Sequence, residues 1–153
     1  MRTRLCGVIG RASADIRSIG IAIAVVSTSV DAIADDRRDY AQAQPLLRSG
    51  ETVVGERIVY PSGAPAVDSL IVTMSPGEAT GWHKHGVPTY AFMLAGQVTV
   101  DYDGAGRRTY RQGEAFLEAM DRWHNGVNDG AEPCRILVVF IGAAGQPAVL
   151  RRE

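Results

Sequence analysis

The chain has little cysteine, few aromatic residues and no block of like charges in its second half. It contains 2 cysteines among 153 residues, and 7% of the residues are aromatic. Its 16 basic and 17 acidic residues give a net charge of −1. This balance argues against nucleic-acid binding through a basic patch and against capture of a strongly acidic partner. No window carries a sustained helical stripe of apolar residues, which disfavours long helices.

The first 34 residues have the layout of a secretory signal peptide. Four arginines precede the apolar run SIGIAIAVVSTSV, and Ala32-Ile33-Ala34 offers a small-x-small exit before Asp35. The run is shorter than the roughly 20 apolar residues that span a bilayer, so we expect no stable membrane span. We therefore predict cleavage near Asp35 and a periplasmic or secreted protein. The alternative is an amphipathic N-terminal extension on a cytoplasmic protein.

The two cysteines do not form an internal disulfide in the mature chain that this signal predicts. Cys6 would leave with the signal peptide, and Cys134 would remain alone. Cys134 lies in the apolar run CRILVVF, which favours a small buried core residue over a reactive thiol.

What the chain does have is a series of short apolar runs separated by turn residues. We predict strands over 52–60, 68–75, 89–96, 97–103, 108–112, 114–119 and 134–142, with Gly, Pro, Asn and Asp between them. Val98, Val100 and Tyr102 alternate with polar neighbours, as in a half-buried strand. Many short strands at even spacing indicate an all-β sandwich or barrel. The polar segment 35–51 precedes them as a short helix or an arm.

The chain contains 3 histidines, and two of them stand one residue apart. On an extended strand His83 and His85 point to the same face and can converge on one ion. A third ligand has to come from another strand, and His124 is the remaining histidine.

The residues around these histidines carry a family resemblance. Gly77, His83, His85 and Gly96 match the motif G-x5-H-x-H-x3/4-E-x6-G, apart from its glutamate. Gly113, His124 and Asn128 match G-x5-P-x-G-x2-H-x3-N, apart from its proline and internal glycine. Over 53–145 the chain thus resembles a cupin.

The resemblance implies a double-stranded β-helix, a jelly-roll barrel that holds a divalent transition metal (Fe, Mn, Ni, Cu or Zn) on His83, His85 and His124. It implies one domain over 52–148, followed by a C-terminal tail over 149–153. Small barrels usually pair their open sheet edges, so we also expect a homodimer.

The departures from the motifs bear on the charge of the metal site. Thr89 takes the glutamate position, while Ala119 and Asp121 replace the proline and the glycine of the second motif. Three neutral imidazoles leave the charge of a divalent ion uncompensated, which favours an anionic or enolisable ligand. Glu118 or Glu78 could supply a carboxylate instead.

Further candidates for contact with the ligand or with the metal ligands are side chains close to the histidines in the chain or on the predicted inner face. They are Thr89, Met93, Tyr102, Glu118 and Trp123, with Trp123 expected at the mouth of the barrel.

The function that this pattern favours is a small exported metal-binding cupin, with oxygen-dependent cleavage of an anionic small molecule as its chemistry. In that case the protein is a non-haem, dioxygenase-like oxidoreductase. Two alternatives stay open. One is a metal-dependent isomerase, lyase or decarboxylase, and the other is a non-enzymatic binding or sensing protein.

Overall fold

Short antiparallel strands form the part of the chain that the computed structural model describes, residues 42–153. The predicted signal peptide and the start of the predicted arm lie outside the described residues. The strands are β1 (Pro65–Met74), β2 (His83–His85), β3 (Thr89–Ala95), β4 (Gln97–Tyr102), β5 (Gly106–Arg111), β6 (Ala115–Leu117), β7 (His124–Val127), β8 (Cys134–Ala143) and β9 (Val149–Arg151).

The strands are arranged in two sheets. One has four strands in the order β1-β8-β3-β6, and the other has five in the order β5-β4-β7-β2-β9. Every pairing is antiparallel, and chain neighbours often lie in different sheets, as in a jelly roll. The predicted all-β jelly-roll fold is therefore confirmed. No helix within 42–153 is long and apolar enough to cross a membrane.

The core lies between the sheets and follows the alternation seen in the sequence. Val98, Val100 and Tyr102 of β4 are all buried, and they pack with Met93, Phe116 and other apolar residues of the opposite sheet. Burial of such side chains contributes about 1.5–3 kcal/mol each to folding. These contacts hold the two sheets together.

A single glycine allows the chain to turn from one sheet into the other. Gly96 lies between β3 and β4 with φ of 68°, and a Cβ there would stand 2.9 Å from the Cα of Cys134. Only glycine combines that backbone conformation with that close approach. Cys134 itself is fully buried, as its apolar surroundings in the sequence predict.

The structure differs from the sequence-based assignment at three segments. Residues 52–60 form no strand, because hydrogen bonds between Thr52 and Glu56 close a tight loop. The carboxylate of Glu56 also accepts hydrogen bonds from the main-chain NH groups of residues 120 and 121. Strand β7 was not predicted, since polar residues interrupt it. Strand β9 lies where a C-terminal tail was expected, and it pairs with β2. The described part of the arm, 42–50, contains neither helix nor strand.

Candidate metal centre

A row of polar side chains crosses the five-stranded sheet. Tyr102 of β4 stands opposite His124 of β7, His124 opposite His83 of β2, and His83 opposite Arg151 of β9. Directly opposite residues of antiparallel strands place their side chains on the same face. All four side chains therefore belong to one face of the sheet, although they come from four separate parts of the sequence.

His85 completes a cluster of three histidines, because it lies two residues from His83 on the same face of β2. One ring nitrogen from each of His83, His85 and His124 lies within 4.8 Å of the others. The ring centroids are 4.4 to 5.1 Å apart. His124 is 1% exposed and His85 5% exposed, so these two rings are almost closed to solvent, and His83 is half-buried.

The hydrogen bonds of these imidazoles determine which nitrogen faces the cluster. In each case Nδ1 contacts a main-chain carbonyl oxygen: His83 that of Gly81 (2.8 Å), His85 that of Ala148 (3.1 Å) and His124 that of Arg122 (2.9 Å). A carbonyl oxygen can only accept, so each Nδ1 is the donor and carries the proton. Each Nε2 then keeps its lone pair, which is the arrangement usual for metal-binding histidines.

The Nε2 atom of His124 shows that the cluster fits a metal ion. This nitrogen is buried and has no hydrogen-bond partner among the described residues. A buried polar atom without a hydrogen-bond partner destabilises the folded state, so such atoms usually bind a partner, a water molecule or an ion. Desolvation and the neighbouring imidazoles lower the pKa of His85 to about 3, and desolvation also lowers the pKa of His83 and of His124. All three rings are therefore neutral at pH 7, the form that coordinates a divalent transition metal.

A carboxylate stands beside the cluster, on Glu118. This residue directly follows β6 of the opposite sheet, and its Oε1 lies 4.0 Å from Nε2 of His124. Oε1 accepts hydrogen bonds from the hydroxyl of Tyr102 (2.7 Å) and from the NH of Ala119 (3.0 Å). Burial raises the pKa of the Glu118 carboxyl, while the hydrogen bond from Tyr102 opposes that rise. Both carboxylates considered from the sequence, Glu118 and Glu78, line the cavity that the histidines face, and Glu118 is the one that lies 4.0 Å from His124.

Tyr102 keeps Glu118 in place. Burial and the adjacent carboxylate raise the pKa of Tyr102, so its hydroxyl stays protonated and available as a donor. Its ring lies 5.7 Å from that of His124, and its hydroxyl also pairs with the hydroxyl of Tyr110 at 3.0 Å. Tyr102 therefore orients the carboxylate from outside the cavity.

Thr89 lies at the start of β3 and lines the same cavity, as strand parity predicts. It is 1% exposed, and its hydroxyl donates a hydrogen bond of 3.0 Å to the carbonyl oxygen of Val87. With its proton committed, the hydroxyl can only accept from a group in the cavity. Thr89 brings no charge to the site.

The histidines and Thr89 open onto a cavity of about 400 Å³ between the two sheets. Most of its wall is apolar, and Arg151 is the only Lys or Arg that residues 42–153 contribute to it. The apolar wall consists mainly of Leu70, Val72, Ala91, Val98, Val100, Phe116, Ile136, Val138, Phe140 and Val149. Such a cavity suits a small molecule with an apolar body and few polar groups.

Three residues singled out from the sequence do not line this cavity: Tyr102, described above, Met93 and Trp123. Met93 is fully buried in the core, two residues beyond Ala91 on β3. Trp123 points away from the histidines, because it directly precedes His124 and neighbouring residues of an extended chain face opposite sides. Its ring lies 5.5 Å from Nζ of Lys84 and 5.8 Å from the guanidinium of Arg152. The expected position of Trp123 at the mouth is therefore corrected.

The position of Arg151 in the cavity is not predicted by the sequence. Strand β9 is only three residues long and follows a proline and a glycine, so no periodic pattern marks it. The pairing with β2 places it beside His83, and that pairing cannot be inferred from either segment alone.

Several solved structures are similar to part of the chain. The solved structures similar to the chain include oxalate oxidase, with 22% identity over 56% of this chain and 45% of that one and a TM-score of 0.48. They also include a mutant of Bacillus subtilis oxalate decarboxylase OxdC (23% identity, 56% and 23% of the two chains, TM-score 0.50) and the DMSP lyase DddQ from Ruegeria pomeroyi DSS-3 (21% identity, 56% and 42%, TM-score 0.49). The matches span less than half the length of these structures.

At such identities the likeness concerns the fold alone. No curated protein sequence matches the chain. A family model described as "Cupin domain" matches residues 70–140, the segment that contains all three histidines. Together with the two-sheet jelly roll and the motif residues, this match confirms the resemblance to cupins seen in the sequence.

Proposed function

We propose that this cupin holds a divalent transition metal on His83, His85 and His124 and binds an anionic or enolisable small molecule beside it. The observation that carries the proposal is the set of three Nε2 lone pairs. Each faces the cluster because its own Nδ1 is tied to a carbonyl oxygen, and Nε2 of His124 has no other partner among the described residues.

The charge of the site supports an anionic ligand. The three imidazoles are neutral, and Thr89 stands where a carboxylate would otherwise offset the charge of the ion. The apolar wall reduces screening, so the attraction of the ion for a carboxylate, enolate or phenolate is stronger than in water. Arg151 adds a second positive charge at the cavity wall.

The chain's own residues suit a reaction that removes a proton from the bound molecule. A bound divalent ion acts as a Lewis acid and, if redox-active, also gives access to dioxygen chemistry. Glu118 accepts a proton at a carboxylate oxygen beside His124, since burial raises its affinity for protons. Tyr102 holds that carboxylate in position, and the apolar side chains of β8 exclude water.

We propose oxygen-dependent cleavage as the reaction, which makes the protein a dioxygenase-like oxidoreductase. The second candidate is a lyase, isomerase or decarboxylase that needs no dioxygen, and the position of Glu118 next to His124 favours it. Proton removal is common to both. The requirement for oxygen distinguishes them.

Metal analysis of the purified full chain tests the proposed site. We expect about one transition metal ion per chain, lost from His83→Ala and from His124→Ala. Lys84→Ala is the matched control, because Lys84 lies between the two histidines of β2 and points the other way. Unchanged metal content in both histidine variants would refute the assignment.

Turnover assays with enols, 1,3-diketones and catechols test the chemistry. Oxygen uptake identifies the oxygenase, whereas anaerobic turnover identifies the second candidate. In either case Glu118→Gln should lower kcat by about 10²-fold or more, as loss of a general base does. The exposed Glu132→Gln is the control and should keep full activity. Metal binding without turnover of any compound would leave a binding or sensing protein.

We also propose that the chain is exported and pairs with a second copy. The signal-like layout of residues 1–34 supports export, and N-terminal sequencing of the exported protein should begin near Asp35; an intact Met1 in the cytosol would contradict it. The edge strand β1 exposes Val67, Leu70 and Ile71 on its two faces, which supports a homodimer through this edge. Light scattering of the purified chain measures that state.

A further inference from the structure

We propose that Arg151 binds a second anionic group of the ligand at the rim of the cavity. The cavity then selects small molecules with two anionic groups, of which dicarboxylates are the simplest class. One group faces the histidine cluster, and the other pairs with the guanidinium. This inference rests on the proposed binding of an anionic molecule beside a metal, and it names the class of that molecule.

The register of β9 directs Arg151 toward the histidines. Arg151 stands opposite His83, Val149 stands opposite His85, and both belong to the cavity lining. Leu150, between them, stands opposite Lys84 on the outer face. The alternation is the same on both strands, so the orientation of Arg151 follows from the sheet and not from a chance rotamer.

A hydrogen bond holds the guanidinium in this place. Nη1 of Arg151 donates to the carbonyl oxygen of Thr80 at 2.6 Å, and the next carbonyl oxygen, that of Gly81, accepts from Nδ1 of His83. One short loop thus positions both the arginine and a histidine of the cluster. A guanidinium has five N–H donors, so donors remain for a carboxylate, which it can bind through two parallel hydrogen bonds.

Arg151 has no carboxylate partner of its own among the described residues. The guanidinium of its chain neighbour Arg152, by contrast, has partners. It forms an ion pair with Asp103 at 3.3 Å and lies over the rings of Trp82 and Trp123. An unpaired arginine on the wall of an apolar cavity is suited to an anion that arrives from outside.

The two ends of the polar row carry opposite charges. Glu118 and Tyr102 stand at the His124 end, while Arg151 stands at the His83 end on the edge strand β9. Adjacent strands are about 4.8 Å apart. A short dicarboxylate can therefore place one carboxylate at Arg151 and the other near the histidines, with its acidic C–H bonds turned toward Glu118.

Calorimetric titration of the zinc-loaded full chain with acetate, malonate and succinate tests this inference. Zinc is redox-inert, so binding is measured without turnover. We expect the wild-type chain to bind one of the dicarboxylates at least tenfold more tightly than acetate. Arg151→Gln should remove that preference while changing the affinities for zinc and acetate by less than about twofold.

Two further variants keep the result interpretable. Arg151→Met retains the aliphatic stem and removes the charge, so it reports the same loss if Arg151→Gln folds poorly. Arg152→Gln removes a positive charge one residue away on the other face, and its dicarboxylate preference should equal that of the wild type.

Each outcome has a distinct meaning. A wild-type chain that binds acetate and dicarboxylates equally, or neutral Arg151 variants that keep the preference, would overturn the role of Arg151 and leave the proposed function intact. A wild-type chain that binds zinc but no carboxylate would overturn the proposed anionic ligand and this inference together.

Discussion

The two sheets contribute different kinds of side chain to the same cavity. From the five-stranded sheet come His83, His85, His124 and Arg151, all on β2, β7 and β9. From the four-stranded sheet come mainly apolar residues of β1, β3 and β8, such as Val138 and Phe140. The five-stranded sheet therefore supplies the histidines and the arginine together with a few apolar residues of β4 and β9, whereas the four-stranded sheet supplies mainly shape and the exclusion of water.

The carboxylate is the exception to this division. Glu118 follows β6 of the four-stranded sheet, yet it is held by Tyr102 of the five-stranded sheet and stands beside His124. The four-stranded sheet thus adds one carboxylate directly beside the histidine cluster.

The largest effect that we expect comes from the wall opposite the histidines. Phe140→Ala should lower the free energy of unfolding by about 3–5 kcal/mol, because the ring is buried and leaves a cavity. Its ring lies 5.7 Å from that of His85, so ligand affinity should also fall. Metal content should stay near one ion per chain. Urea denaturation and elemental analysis measure the two quantities.

Leu70→Ala is the control for this variant. Leu70 lines the cavity from the same sheet but is 45% exposed, so its removal should cost much less stability. A Phe140→Ala protein that is folded but has lost its metal would contradict the proposal that the four-stranded sheet contributes mainly shape and does not hold the metal.

The metal-free protein should lose stability as the pH falls below about 6.5. The pKa of His85 is about 3 in the folded chain and returns to 6.5 on unfolding, so in this range the unfolded chain binds more protons. Each such histidine lowers the free energy of unfolding by about 1.4 kcal/mol per pH unit. Denaturation of chelator-treated protein at pH 7, 6 and 5 measures the slope.

Glu118 should oppose this slope, since its pKa is raised in the folded chain and the folded state then takes up the extra proton at pH values above about 4.5. In Glu118→Gln the loss of stability with falling pH should therefore be steeper than in the wild type. Equal slopes would show that the environment of Glu118 does not perturb its ionisation.

The smallest effect that we expect comes from adding a carboxylate beside the histidines at position 89. Thr89→Glu should increase the affinity for zinc by about tenfold and weaken acetate binding by a similar factor, because a buried carboxylate offsets the charge of the ion. Thr89→Val removes the hydroxyl without adding charge and should leave the zinc affinity unchanged. Calorimetry measures both ligands, and tighter acetate binding in Thr89→Glu would contradict the charge argument.

Much of the fold could be predicted from the sequence because its main signals are local. Alternation in segments such as 97–102 determines which side chains are buried, and turn residues between the apolar runs indicate many short strands. The spacing of His83 and His85 places both on one face by the geometry of a strand alone. The motif residues around them then connect His124 to the same site.

The misassigned segments show where local signals fail. Residues 52–60 are rich in β-branched residues, as strands are. However, Glu56 instead holds the loop before His124, through a hydrogen bond to a residue 64 positions away along the chain. Met93 has the parity of the cavity-lining Ala91 but lies deeper, where the sheets meet. The outward direction of Trp123 follows from the alternation of side chains along a strand, because the next residue, His124, points inward.

The amino-acid sequence is sufficient to predict the all-β architecture, the three histidines of the cluster and the absence of a carboxylate at position 89. The meeting of Glu118 and Tyr102 beside His124, and the position of Arg151 next to His83, are seen only in the folded chain. The reason is physical: the faces of a strand follow from its own period of two residues, whereas the neighbours of a strand follow from pairing between segments far apart in the chain. The two charges at the ends of the polar row depend on such pairing or on packing between the sheets.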